Sequence, residues 1–168
     1  MPNARVLDVI EALLRAADHP DYQQVARYGR DTLPGGQSPA GVKALHKSGS
    51  TSMLWCAAEP RDAHPVPADA VDGMTGSMPA RTLRLAHRLL DAARPPQFSR
   101  WELCAAPGVG WPESGKSPSA LRITGSDGTV AYLRATAASG PGGGKAEPKE
   151  DPFPEWQVPD AIADAVPA

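Results

Sequence analysis

Residues Ala4 to Ser50 of this chain lie over Ala80 to Ser126 without a gap, at one offset of 76 positions (80 minus 4). The identities include Arg5/Arg81, Leu7/Leu83, Leu13/Leu89, Leu14/Leu90, Ala17/Ala93, Pro20/Pro96, Leu45/Leu121 and Gly49/Gly125. Self-similarity at a fixed period constrains a fold strongly, because each copy must form the same supersecondary unit. A unit of about 75 residues buries only about 60% of the surface its unfolded chain exposes. Two such units are therefore expected to share one core.

Each copy opens with a helical pattern. In the first, Val6, Leu7, Val9, Ile10, Leu13, Leu14 and Ala17 fall on one arc, with Asp8, Glu11 and Arg15 on the other. Asn3 is the expected N-cap, and Asp18-His19-Pro20 the stop. In the second, Leu83, Leu85, Ala86, Leu89, Leu90 and Ala93 form the apolar arc, and Pro95-Pro96 ends it. Strand patterns follow over residues 22–28, 42–47 and 51–57, and again over 98–105, 120–125 and 129–136. Asp127-Gly128 between the last two predicts a hairpin whose central residues both have positive φ. The expected fold is α+β: a helix–three-strand unit twice, with helices on one face of an antiparallel sheet.

The expected organisation is a first unit at 1–58, a linker at 59–77, a second unit at 78–137 and a tail at 138–168. The tail begins with a glycine-rich tether and continues acidic and proline-rich, a composition that predicts disorder. Phe153 and Trp156 are its candidate docking anchors. Charge is uneven: the second unit carries 8 Lys/Arg against 4 Asp/Glu, the tail 2 against 6. No apolar run approaches membrane-spanning length, and the two cysteines form no CxxC pair. Cys56 and Cys104 are expected as buried reduced thiols, the four histidines as surface or capping residues, and the protein as cytoplasmic.

One motif has the form of a chemical site. Gly110, Gly115, Lys116 and Ser117 fit the spacing G-x-x-x-x-G-K-S, which resembles the Walker A signature of the P-loop nucleotidases. That resemblance covers eight residues. It implies loop amides around phosphates, Lys116 on the terminal phosphates and Ser117 on magnesium. Pro118 follows at once, removing an amide that a phosphate-binding helix start would use. No apolar strand ending in Asp or Glu follows, and Pro34 to Pro39 of the first copy lacks the motif. The stretch is expected to be a strand–strand loop.

The other candidate is a basic patch, Arg81, Arg84, Arg88 and Arg94, on the second helix. Such a face suits an acidic protein segment or nucleic-acid phosphates. The sequence thus predicts a small non-catalytic binding or adaptor protein acting through its sheet face or basic helix, with a protein partner and no cofactor or metal. A nucleic-acid-binding regulator is the second reading. A nucleotide-binding protein using Lys116 is the third.

Overall fold

A computed structural model describes residues 1–32, 39–67, 74–105, 118–138 and 150–168. In chain order these form α1 (Asn3–Ala17), β1 (Tyr22–Tyr28), β2 (Gly41–His46), β3 (Thr51–Ala57), β4 (His64–Pro65), α2 (Met78–Ala93), β5 (Phe98–Ala105), β6 (Ala120–Gly125) and β7 (Val130–Ala138). The seven strands make one antiparallel sheet in the order β1-β2-β3-β7-β6-β5-β4.

Local chemistry sets the helix ends. Pro2, extended, precedes α1, so Asn3 is its first residue and not its cap. Ser77 caps α2 by accepting from the Ala80 amide at 3.4 Å. Both helices end on a residue in the left-handed region, Asp18 at φ 45° and Arg94 at φ 47°. The turns that follow also match: the Tyr22 amide donates to the His19 carbonyl, and the Phe98 amide to that of Pro95. An offset of 76 therefore holds from α1 into β1, and from α2 into β5.

Beyond the first strand the offset changes. The β2–β3 hairpin is closed by His46 and Ser50 with Gly49 at φ 92°, and the β6–β7 hairpin by Gly125 and Thr129 with Gly128 at φ 83°. The equivalence is now 79 positions (128 minus 49), so the ungapped match to Ser50/Ser126 slips by three residues within the loop. Leu121 is the counterpart of Val42, both fully buried, and half-buried Leu45 is the counterpart of Thr124. The expected Leu45/Leu121 pairing is thereby corrected. The hairpin type is corrected too. In each loop only the glycine has positive φ, as in a three-residue connection with glycine at the left-handed position.

Strand β3 pairs with β7 over seven positions, and Trp55 faces Arg134, its own counterpart at the offset of 79. The flanking pairs exchange under the same shift: Met53↔Thr136 maps onto Ala57↔Tyr132, and Leu54↔Ala135 onto Cys56↔Leu133. The pairing register is thus symmetric about Trp55/Arg134.

Both helices lie on one face. Leu7, Ile10, Leu13 and Leu14 of α1 and Leu83, Leu89 and Leu90 of α2 pack with Val42, Leu54, Leu103, Leu121, Ile123 and Leu133 of the sheet. The stretch expected as linker also enters this core, through Val66 and Met74. The tail is corrected as well: residues 150–168 pack against both helices, with Ile162 buried and Trp156, Val158 and Val166 partly buried beside it. Apolar residues spaced along an acidic segment suffice to dock it where α2 would otherwise show a second apolar side. Ala80 to Ala86 are all buried, so α2 is covered on both sides.

On the opposite face Gly41 admits the Tyr28 ring. A Cβ there would collide with that ring and with the Leu54 carbonyl oxygen, a backbone atom fixed in the ladder. Gly41→Ala is expected to lower stability by about 1–3 kcal/mol through overpacking, measured by urea denaturation; an unchanged midpoint would show that the strands yield.

Candidate functional site: the uncovered face of the sheet

Strand alternation sends Ser52, Leu54 and Cys56 toward the helices and Thr51, Met53, Trp55 and Ala57 to the other side. Among the described residues no helix covers that second side. A row runs across it from strand to strand: Tyr28, Gly41, Trp55, Arg134, Ala120 and Cys104. The next row is Ala26, Lys43, Met53 and Thr136 on the first half, and Glu102, Arg122, Tyr132 and Ala57 on the second. The exposed Arg134 guanidinium stands 5.6 Å from the centre of the Trp55 ring.

Charge on this face is mainly positive. Lys43, Arg100, Arg122 and Arg134 are set against Glu59 and Glu102. Arg122 donates to Glu59 at 2.6 Å and to Glu102 at 2.5 Å, and these two carboxylates raise its pKa further. Arg100 also meets Glu102, at 3.1 Å. Lys43 and Arg134 project to solvent without a carboxylate at ion-pair distance among the described residues.

The residues singled out in the sequence fall elsewhere. Arg81 and Arg84 are buried in α2, so the expected basic helix face is not a solvent-facing patch; Arg88 and Arg94 are exposed. Arg81 lies 3.7 Å from Asp21. Arg88 stands 5.6 Å from the Trp156 ring centre, so the C-terminal segment shares the space this helix was expected to offer a partner. Gly110, Gly115, Lys116 and Ser117 lie outside the described residues. The described residues contain no cluster of three His, Cys, Asp or Glu side chains placed to hold a metal, and no helix long and apolar enough to cross a membrane.

A buried polar chain is the feature that sequence reasoning missed. Asp21 Oδ2 is 2.9 Å from His46 Nδ1, His46 Nε2 is 2.7 Å from Ser52 Oγ, and Ser52 Oγ is 2.9 Å from Thr82 Oγ1. Tyr22 OH meets the same threonine at 3.1 Å, and burial raises its pKa. Acid, imidazole and hydroxyl stand in the order used for acyl transfer. Ser52 and His46 are each 0% exposed, however, and Ser52 spends its hydroxyl on Thr82. A nucleophile sealed from solvent meets no substrate, so the chain is a lock between the first half and α2. The signal was available at equivalent positions: Gln97, Phe98, Gly125 and Ala131 stand where the first half has Asp21, Tyr22, His46 and Ser52. Cys56 and Cys104 are free thiols whose pKa values burial pushes up to about 11, which makes them poor nucleophiles at neutral pH.

His19 and His46, expected as surface or capping residues, are both buried, and His19 lies among the rings of Tyr22, Phe153 and Trp156, at centroid distances of 5.4, 5.7 and 4.6 Å. Its Nδ1 accepts from the Asp21 amide at 3.1 Å.

Compared with known proteins, the chain matches no family model, no curated protein and no solved structure.

Burial lowers the His19 pKa, opposed by Asp21 and Asp151 and reinforced by His46 and Arg88. A released C-terminal segment would leave His19 nearer its ordinary value of about 6.5. The released state then binds the proton more tightly, so docking is expected to weaken as pH falls through about 6.5. Trp156 emission should shift to the red between pH 7.5 and 5.5, judged against Trp156→Phe, and His19→Leu should flatten that change. A pH-independent Trp156 signal in the native chain would separate His19 from docking.

Proposed function

We propose that this chain is a duplicated helix–three-strand unit that serves as a non-catalytic binding or adaptor protein in the cytoplasm, contacting a protein partner through the uncovered face of its sheet. The observation that carries this reading is the Trp55/Arg134 pair, an aromatic ring and an exposed guanidinium at the centre of a face that no helix covers among the described residues. Tryptophan and arginine are the side chains on which interface energy most often concentrates. The C-terminal segment packs on both helices, whereas among the described residues no helix lies on the sheet face. Its excess of positive charge suits an acidic partner surface.

Nucleic-acid binding is favoured by the same ring and cations, which would stack a base and pair phosphates. Against it, the two carboxylates on Arg122 already lower the positive potential over one half of the face.

Trp55→Ala and Arg134→Glu should each weaken a partner captured from the native host by about 2 kcal/mol, roughly 30-fold in Kd. Stability should change little, because neither side chain is in the core. Retention of the same partner by both variants would sink the reading. Steeply salt-dependent oligonucleotide binding, lost in both variants, would replace it with the nucleic-acid one.

A further inference from the structure

The two halves of the sheet face are alike in register and unlike in what covers them. After β3 ends at Ala57, the chain passes to β4 at the far edge, against β5. On the way Glu59 accepts from Arg122 of β6, and Ala63 packs on Cys104, Ala120 and Tyr132. The Val66 amide then donates to the Leu103 carbonyl at 2.8 Å, and its side chain enters the main core. Beneath this crossing Cys104 and Ala120 are 0% exposed and Tyr132 2%.

The counterparts on the first half follow from the offsets of 76 and 79. Cys104 corresponds to Tyr28, Ala120 to Gly41, Tyr132 to Met53 and Arg122 to Lys43. Tyr28 and Met53 are only half buried, and Lys43 is exposed. The Tyr28 ring lies over Gly41 and supplies part of the cover that Ala63 supplies over Ala120. Among the described residues, what stays open is a cation, Lys43, flanked by Met53 and Trp55.

Among the described residues no carboxylate stands at ion-pair distance from Lys43. The counterparts of Glu59 and Ala63 after β7 are Ala138 and Gly142, and the first acidic residue beyond β7 is Glu147.

We propose that Tyr28, Lys43, Met53 and Trp55 form a docking site for an extended segment of a protein partner, one with a carboxylate a few residues ahead of a small apolar residue, laid across the strands as Glu59 to Val66 is laid across the other half. The proposal rests on the reading of this face as the binding surface and adds to it the chemistry and path of the occupant. A carboxylate on Lys43 would repeat the Glu59–Arg122 contact. A small apolar side chain would pack beside the half-buried Met53, where a large one would meet the Tyr28 ring that lies over Gly41. Carboxylates are the groups seen to satisfy the equivalent cation, which favours a peptide over a phosphate backbone.

The test uses a synthetic peptide with the sequence of residues 58–67, titrated into the full isotope-labelled chain and followed by amide chemical shifts. Saturable changes are expected at Tyr28, Lys43, Met53 and Trp55, with a Kd of about 1 mM or tighter for so small a contact. Lys43→Glu should weaken binding at least tenfold while keeping native shift dispersion. A peptide with Glu59→Lys should fail on the native chain and bind the Lys43→Glu variant. Changes confined to residues 100–132, binding indifferent to Lys43→Glu, or no saturation at several millimolar would each overturn the proposal. So would a short oligouridylate that saturates these amides where the peptide does not. Should the peptide fail while Trp55→Ala and Arg134→Glu still abolish partner capture, the docking site is wrong and the binding face stands. Normal capture by those two variants would remove the binding face itself.

Discussion

The pairing of β3 with β7 is the interaction on which the rest depends. Each half alone offers three strands and one helix, a unit too small to bury much apolar surface. Joining at β3 and β7 places Leu54 and Leu133 at the centre of a continuous sheet, where both are fully buried. It also removes two sheet edges that would otherwise present unpaired backbone groups. Because the ladder is symmetric about Trp55/Arg134, the two helices come to rest side by side on one face, and the other face is left with that pair at its middle.

The join sets a path problem for the chain. Strand β3 ends at the centre of the sheet, and α2 must begin on the helix side. Residues 58–66 solve it by crossing β7 and β6 on the open face and turning around the β5 edge, where His64 and Pro65 pair with Ala105 and Cys104. Proline is tolerated there because an edge strand does not need every amide. The C-terminal segment closes the other side. Ile162 is buried between the helices, Trp156 lies under Arg88, and Phe153 meets His19.

Much of this arrangement was legible in the sequence. The 3.6-residue period of Leu7, Ile10 and Leu14 marks α1, and that of Leu83, Ala86 and Leu90 marks α2. Asp127-Gly128 between the apolar runs 120–125 and 129–136 marks the hairpin. The proposed repeat has a register legible in the sequence only as far as the first strand. Chance identities at Leu45/Leu121 and Gly49/Gly125 hid a slip of three residues that the hairpin hydrogen bonds reveal. Arg81 and Arg84 misled for a physical reason. At helical spacing they have the form of a solvated face, yet both are buried, Arg81 beside Asp21 some 60 positions earlier in the chain, and no local pattern reports a long-range contact. The proposed binding face was equally hidden. Lys43, Met53, Trp55 and Arg134 are scattered over three strands, and only the pairing register assembles them.

Under the proposed duplication, the differences between the two halves are informative. Burial explains the positions that match: Val42 and Leu121, Ala44 and Ile123, and Leu13 and Leu89 each serve the same apolar layer. The positions that differ fall into two groups. Inside, the first half replaces Gln97, Gly125 and Ala131 with Asp21, His46 and Ser52, and thereby gains a polar lock onto Thr82 of α2. A satisfied buried network of this kind fixes one arrangement of the helix on the sheet, because any shift leaves hydroxyl and imidazole groups unpaired. Outside, the second half pairs its cation with Glu59 and Glu102, whereas the first half leaves Lys43 in solvent beside two half-buried apolar side chains. The half with the stiffer interior is the half with the more open surface. Rigid backing beneath an uncovered face is what keeps binding from being offset by the entropy of ordering it.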